Sequence, residues 1–234
     1  MPSDGTVLIT GAGGALGRAV VEHFAARGAR LVLLDRDGDA LARLAGSLPG
    51  ATALPLATDL LDPGAVAAAV GEAVARFAGI DAAVHLAGGF AMGEAVHETS
   101  TTTWQRMLDL NVNTMLHSAA AVVPVMRRAQ RGYIVNVGAM SGLRGAARMG
   151  AYIASKSALM RLTESMSAEL REEGINVNAV LPSVIDTPAN RLSMPDADPR
   201  RWVAPADLAA VIGFLASDAA RAVHGALIPV TGLS

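Results

Sequence analysis

The chain has 234 residues and a formal charge of −2 from 19 basic and 21 acidic side chains, which leaves no electrostatic footprint for nucleic acid. Hydrophobic residues make up 52%, above the ~45–50% of typical soluble domains, so disorder is excluded; yet no apolar run approaches the ~20 residues of a membrane span. No cysteine is present, which excludes disulfide scaffolds, thiolate zinc sites and cysteine nucleophiles; no metal is expected.

The opening MPSDGTVLIT has neither the basic nor the apolar region of a secretion signal. A soluble, cytoplasmic protein with a small-molecule substrate is the expectation. TVLIT (6–10) reads as a strand, followed by a Gly-rich turn and an amphipathic helix over 15–28. LVLLD (31–35) is a second strand, 37–48 a short helix, and ATALPLATD holds a third strand. A helix over 62–78 starts from Asp62-Pro63, an N-cap with proline in the first turn. AAVHLAG (82–88) is a fourth strand. A long helical stretch covers 102–131, with breaks or kinks expected at Pro124 and near Asn111. YIVNVG (133–138), INVNAVL (175–181) and ALIPV (226–230) complete the strands, interleaved with helices over 151–173 and 205–217. Apolar strands alternating with helices give an α/β, Rossmann-type, doubly wound parallel sheet of seven strands in one domain, with helices on both faces. Ligands of such sheets sit at the carboxyl ends of the strands. The Pro- and Arg-rich segment 182–205 reads as a mobile loop over the site.

Thr10-Gly11-Ala12-Gly13-Gly14-Ala15-Leu16-Gly17 follows the first strand directly. Such a turn lets the backbone approach a pyrophosphate at a helix N-terminus. An ordinary βα turn is the competing reading, and Asp35 at the end of the second strand argues against it. A carboxylate there accepts hydrogen bonds from ribose hydroxyls and repels a 2′-phosphate, which favours NAD(H) over NADP(H). Arg36 next to it pulls the other way.

Of the 19 basic residues, Lys156 is the only lysine. Where composition favours arginine so strongly, one surviving lysine marks a position that a forked guanidinium cannot fill. Tyr152 lies four residues earlier, on the same face of a helix. An ammonium beside a phenol favours the phenolate and brings its pKa down from ~10 toward a working range for proton transfer.

With these motifs in order, the sequence resembles the short-chain dehydrogenase/reductase family over essentially its whole length. The matches are the glycine loop, Asp35, Asp59-Leu60, Ala87-Gly88, Asn111, Tyr152-x-x-x-Lys156 and Pro182 through Thr187. The resemblance implies that Gly11, Gly14, Ala15, Leu16 and Gly17 cradle the cofactor and that Asp59 and Leu60 contact adenine. It places Ala87, Gly88 and Pro182 along the dinucleotide, Tyr152 and Lys156 at the nicotinamide ribose, and Val184 and Thr187 at the carboxamide. Tyr152, Lys156 and Asn111 are then the catalytic residues, with Asn111 supporting a relay water. A homodimer or homotetramer built on the helices near 102–131 and 151–173 is also implied.

Two positions depart from the family pattern. Ala15 replaces the middle glycine of the loop, which is tolerable if its φ is negative. Ala139, thirteen residues before Tyr152, replaces the serine that polarises the substrate carbonyl, and alanine has no hydrogen to donate. Ser141, water or the substrate itself would have to supply that polarisation. The quinonoid dihydropteridine reductase branch looks similar in both departures, and its electron-poor acceptor needs less electrophilic help. The leading expectation is therefore NADH-dependent reduction of a small conjugated C=N or C=O acceptor, including a quinonoid dihydropterin, with Phe90, Met194 and Trp202 around it. The alternatives are an NAD-dependent alcohol dehydrogenase or ketoreductase of the same family, and a non-catalytic dinucleotide-binding protein.

Overall fold

The computed structural model describes residues 5–234. Its strands are β1 (Thr6–Thr10), β2 (Arg30–Asp35), β3 (Ala53–Ala57), β4 (Ala82–His85), β5 (Gly132–Val137), β6 (Ile175–Pro182) and β7 (Leu227–Val230). Among the described residues these seven form one parallel sheet in the order β3-β2-β1-β4-β5-β6-β7. β1 pairs on one side with β2 (Val7 opposite Leu31) and on the other with β4 (Val7 opposite Ala82).

The apolar strand sequences bury both faces of this sheet. Because side chains alternate across a strand, Val7, Ile9 and Leu33 enter one core while Leu8, Val32 and Leu34 enter the other. The first core is closed by α1 (Ala15–Ala25), α2 (Gly38–Gly46) and α8 (Pro205–Leu215), through Phe24, Leu41 and Ile212. The second is closed chiefly by α3 (Pro63–Phe77) and α5 (Thr114–Ala129), through Val70 and Val122, with Leu170 from the end of α6 (Gly150–Leu170). α3 begins as its sequence predicts: Asp62 accepts hydrogen bonds from Gly64 and Ala65, and Pro63 opens the first turn.

Two expectations change. The stretch 102–131 is interrupted near Asn111, as expected, but not at Pro124. It consists of α4 (Thr101–Leu108), a single π-helical turn at Asp109–Asn113, and α5, which passes through Pro124 without a break. Pro124 and Ala120 lie on the exposed side of α5, where water can satisfy the carbonyl that the proline leaves unpaired. The segment 182–205 is also more ordered than a plain loop. It holds α7 (Pro188–Ser193), a 3₁₀ turn at Pro199–Arg201 and a parallel bridge between Ile185 and Val203. Backbone bonds Asp186–Val203 (2.8 Å) and Val203–Val184 (2.9 Å) fasten its two ends together. Among the described residues, no helix is long and apolar enough to cross a membrane.

Candidate active site

The glycine loop turns out of β1 with Gly11 at φ +66°, and a Cβ there would lie 2.9 Å from the Ala87 nitrogen. Gly17 is just as constrained, because a Cβ would collide with the carbonyls of Gly11 and Ala12. Both positions need glycine for the loop to close against the end of β4. Ala15 is the first residue of α1 and is absent from the left-handed residues, so the alanine is accommodated as expected. No side chain caps α1 at Gly14. Its free N–H groups meet a cleft of about 390 Å³ lined by Gly11, Gly14 to Gly17, Leu86 and Thr187, a setting suited to an anion.

An adjoining cleft of about 160 Å³ is lined by Asp35, Arg36, Asp59, Leu60, Ala87 and Gly88, among others. Asp35 ends β2 and accepts the Gly13 N–H at 3.0 Å, so it braces the glycine loop. It does not cap α2. Asp37 does that, accepting the Ala40 N–H at 2.9 Å. Leu60 is held from a residue that the sequence did not single out: His117 donates from Nδ1 to the Leu60 carbonyl at 2.8 Å. The uncapped helix, the glycine cradle and the carboxylate at the end of β2 together fit a dinucleotide. Pro182 and Val184 lie at the carboxyl end of β6 and line neither cleft; of that stretch only Thr187 does.

α6 carries Tyr152 and Lys156 one turn apart. Tyr152 is half-buried, whereas Lys156 is 6% exposed and donates to the Val137 carbonyl at 2.8 Å. Burial pushes the ammonium down to about 8. The ammonium sits beside the backbone of the loop after β4. A Cβ on Gly88 would lie 3.4 Å from Lys156 Nζ and 2.8 Å from Asn111 Oδ1. Asn111, 1% exposed, clamps that loop from the π turn. Its Oδ1 accepts the Gly89 N–H at 2.9 Å, and Nδ2 donates to the Gly89 carbonyl and to Ser155 Oγ, both at 3.0 Å. The side chain of Asn111 is thus occupied by protein partners, and it acts on the site by positioning Gly88 and Gly89. Ser155, whose Oγ donates to the Tyr152 carbonyl at 2.7 Å, joins this clamp to α6; no sequence motif pointed to it.

The phenol of Tyr152 departs from its expected tuning. Its pKa is raised, because burial outweighs everything else, and the opposing influence is a hydrogen bond from Ser141. Lys156 does not lower it here. The ammonium is turned to the Val137 carbonyl and is itself poorly solvated.

Of the residues expected around the substrate, Phe90 is in place. Its ring meets that of Tyr152 edge-on, with centroids 4.9 Å apart. Ala139 is buried in extended conformation just after β5, and Ser141 stands on the 3₁₀ turn Met140–Leu143 that follows. Met194 ends α7 half-buried and lines neither cleft. Trp202 is packed into the fold at 8% exposure. The chain terminus folds over its neighbours, with Arg201 and Leu233 exchanging two hydrogen bonds.

Residues 5–198 match the family described as short chain dehydrogenase. The chain belongs to the short-chain dehydrogenase family. It is 33% identical over 239 residues to meso-2,3-butanediol dehydrogenase of Serratia marcescens, covering 97% of this chain and 92% of the relative. The crystal structure of levodione reductase superposes with a TM-score of 0.91 at 30% identity, covering 98% of this chain and 96% of the other. That of NAD+-bound xylitol dehydrogenase gives 0.90 at 28% identity, with 97% and 98% covered. These relatives are named for a diol, a dione and a polyol. They give no support to the likeness to the quinonoid dihydropteridine reductase branch.

Proposed function

We propose that this short-chain oxidoreductase interconverts a secondary alcohol and a ketone, with NAD(H) preferred over NADP(H). The observation that carries the reading is the placement of Tyr152 and Lys156 on one face of α6, beside the Gly88–Gly89 backbone and the dinucleotide clefts. A bound nicotinamide dinucleotide would supply or take up the hydride. Tyr152 holds the proton at its phenolic oxygen, giving it to a ketone or taking it from an alcohol. Lys156 keeps a buried positive charge near the ribose position, and Asn111 and Ser155 hold the surrounding backbone. Asp35, free of any helix-capping duty, is the group that would oppose a 2′-phosphate.

The relatives' names support an alcohol, diol or ketone substrate. The pterin expectation rested largely on a missing hydroxyl at Ala139, and the relatives lend it no support. The test is nucleotide reduction with NAD+ over a panel of diols, polyols and cyclic secondary alcohols. Turnover should fall at least ~100-fold in Tyr152→Phe, and Asp35→Ala should narrow the preference for NAD+ over NADP+. No turnover with any alcohol, or full activity in Tyr152→Phe, overturns the reaction; wild-type preference for NADP+ overturns the cofactor.

A further inference from the structure

We propose that Arg148 is a positioning residue for the substrate: it clasps Gly93 and thereby holds Phe90, on the connection between β4 and α4, against the ring of Tyr152. This rests on the alcohol–ketone reading above. The connection is fixed on both sides of a short arch, Phe90-Ala91-Met92. Before the arch, Gly89 is held by Asn111 through its N–H and its carbonyl. After it, the Gly93 N–H donates to the Arg148 carbonyl at 2.8 Å, and Arg148 Nη1 donates back to the Gly93 carbonyl at 2.8 Å. Glu94, the next residue, accepts from the Ser100 N–H and the Thr103 hydroxyl, both at 3.1 Å, and so ties the connection to α4.

Arg148 takes an unusual backbone conformation to make this clasp. Its φ is +61°, in the left-handed region that side chains rarely adopt. The other non-glycine residues in that region among those described, Ala78 and Gln130, are C-caps of α3 and α5, where it is ordinary. Arg148 ends no helix. Such a conformation persists where its surroundings hold it, and here the bonds to Gly93 do so. Packing offers little help. Arg148 is exposed, and a recess of about 70 Å³ is lined by Ala91 and Met92 of the arch and by Gly150 and Ala151 of α6. With no solid floor under the arch, the clasp sets how closely Phe90 approaches Tyr152, whose ring it meets edge-on at 4.9 Å between centroids. Freed from Gly93, the arch would hinge at Gly89 and carry Phe90 away, while Tyr152 and Lys156 stay on α6. The loss should fall on substrate binding and not on proton transfer.

Hydrogen exchange and kinetics test this together. Arg148→Met keeps the long stem and loses the donors, whereas Arg148→Lys keeps a cationic donor. In Arg148→Met the amides of residues 90–93 should exchange about threefold faster or more. KM for a cyclic secondary alcohol should rise by about 3–10-fold, with kcat within about twofold of wild type. Arg148→Lys should restore most of both. In a Phe90→Ala background Arg148→Met should leave KM nearly unchanged, because both residues act through one contact. Unaltered exchange in Arg148→Met, a loss in kcat at constant KM, no rescue by lysine, or an equal rise in KM with and without Phe90 would overturn the proposal. If the wild type turns over no alcohol, the reading of the reaction fails; faster exchange in Arg148→Met then still supports the clasp, and unaltered exchange overturns it.

Discussion

Lys156 explains at the scale of one residue why an arginine-rich chain keeps a lysine. Its ammonium is buried against the Val137 carbonyl and the Gly88 backbone, while the Gly142 turn packs on its Cβ, and a planar fork with five donors has neither the room nor the partners there. The uniqueness of Lys156 was legible in the sequence. The direction its charge would face was not, because that depends on a carbonyl from a strand nineteen residues earlier. His85 is the opposite case, a residue that no motif announces. It is buried at the end of β4, with Nδ1 2.8 Å from Asn136 Oδ1 and Nε2 2.9 Å from Ser118 Oγ, and Asn136 in turn donates to Thr163 at 2.9 Å. The Asn136 oxygen accepts from Nδ1, which leaves Nε2 to accept the Ser118 hydrogen, so the ring is neutral. Burial holds its pKa down at about 4 against 6.5 in an unfolded chain. The unfolded chain therefore takes up this proton first. Stability is full above pH 6.5 and is lost as the pH falls toward 4, by about 3 kcal/mol in all. Urea denaturation at pH 7 and at pH 4.5 should show the loss. His85→Gln should flatten that part of the profile, and an equal slope in wild type and variant would remove His85 as the cause.

At the scale of elements, the strands and most helices could be read from apolar runs, because a sheet covered on both faces leaves continuous hydrophobic stretches. The helix over 102–131 could not be read so well. The interruption near Asn111 was expected from the sequence, but the one expected at Pro124, by rule the stronger breaker, does not occur. The deciding quantities are tertiary: Pro124 faces water, whereas Asn111 is drawn inward by Gly89 and Ser155. The segment 182–205 was misjudged for a similar reason, since the bridge between Ile185 and Val203 joins residues too far apart for any local pattern. The contrast in α4–α5 can be tested directly. Asn111→Ala leaves the half-buried Gly89 N–H and carbonyl without their partner, and should destabilise the fold by about 1–3 kcal/mol and lower kcat. Pro124→Ala restores an N–H to the Ala120 carbonyl at an exposed site, and should leave stability unchanged or raise it by ~1 kcal/mol. Equal unfolding midpoints for the two variants would mean that the π turn does not depend on Asn111.

For the whole molecule, the strand order reverses between β1 and β4, and both dinucleotide clefts open at that reversal. In the proposed reading the substrate side lies further along the same edge, beyond β4, β5 and β6, where three separate connections each present an exposed apolar side chain. Phe90, 54% exposed, follows β4 and touches Tyr152; Leu143, 53% exposed, follows β5 on the Ser141 turn; Leu192, 83% exposed, rides on α7 after β6. A protein surface rarely gathers large exposed apolar groups on neighbouring connections without something to cover them. A hydrocarbon face on the substrate would remove that area from water at roughly 25 cal/mol per Å², whereas a polyol would bring hydroxyls to walls that offer them no partners. The enzyme should therefore favour cyclic or branched apolar secondary alcohols over open-chain polyols by at least ~10-fold in kcat/KM, despite its likeness to a xylitol dehydrogenase. Phe90→Ala should erode that ratio mainly through KM, because the ring contacts substrate in the ground and transition states alike. Comparing cyclohexanol with xylitol in wild type and Phe90→Ala is sufficient. A wild-type preference for xylitol, or a ratio that Phe90→Ala leaves untouched, would mean that these side chains face something other than the substrate.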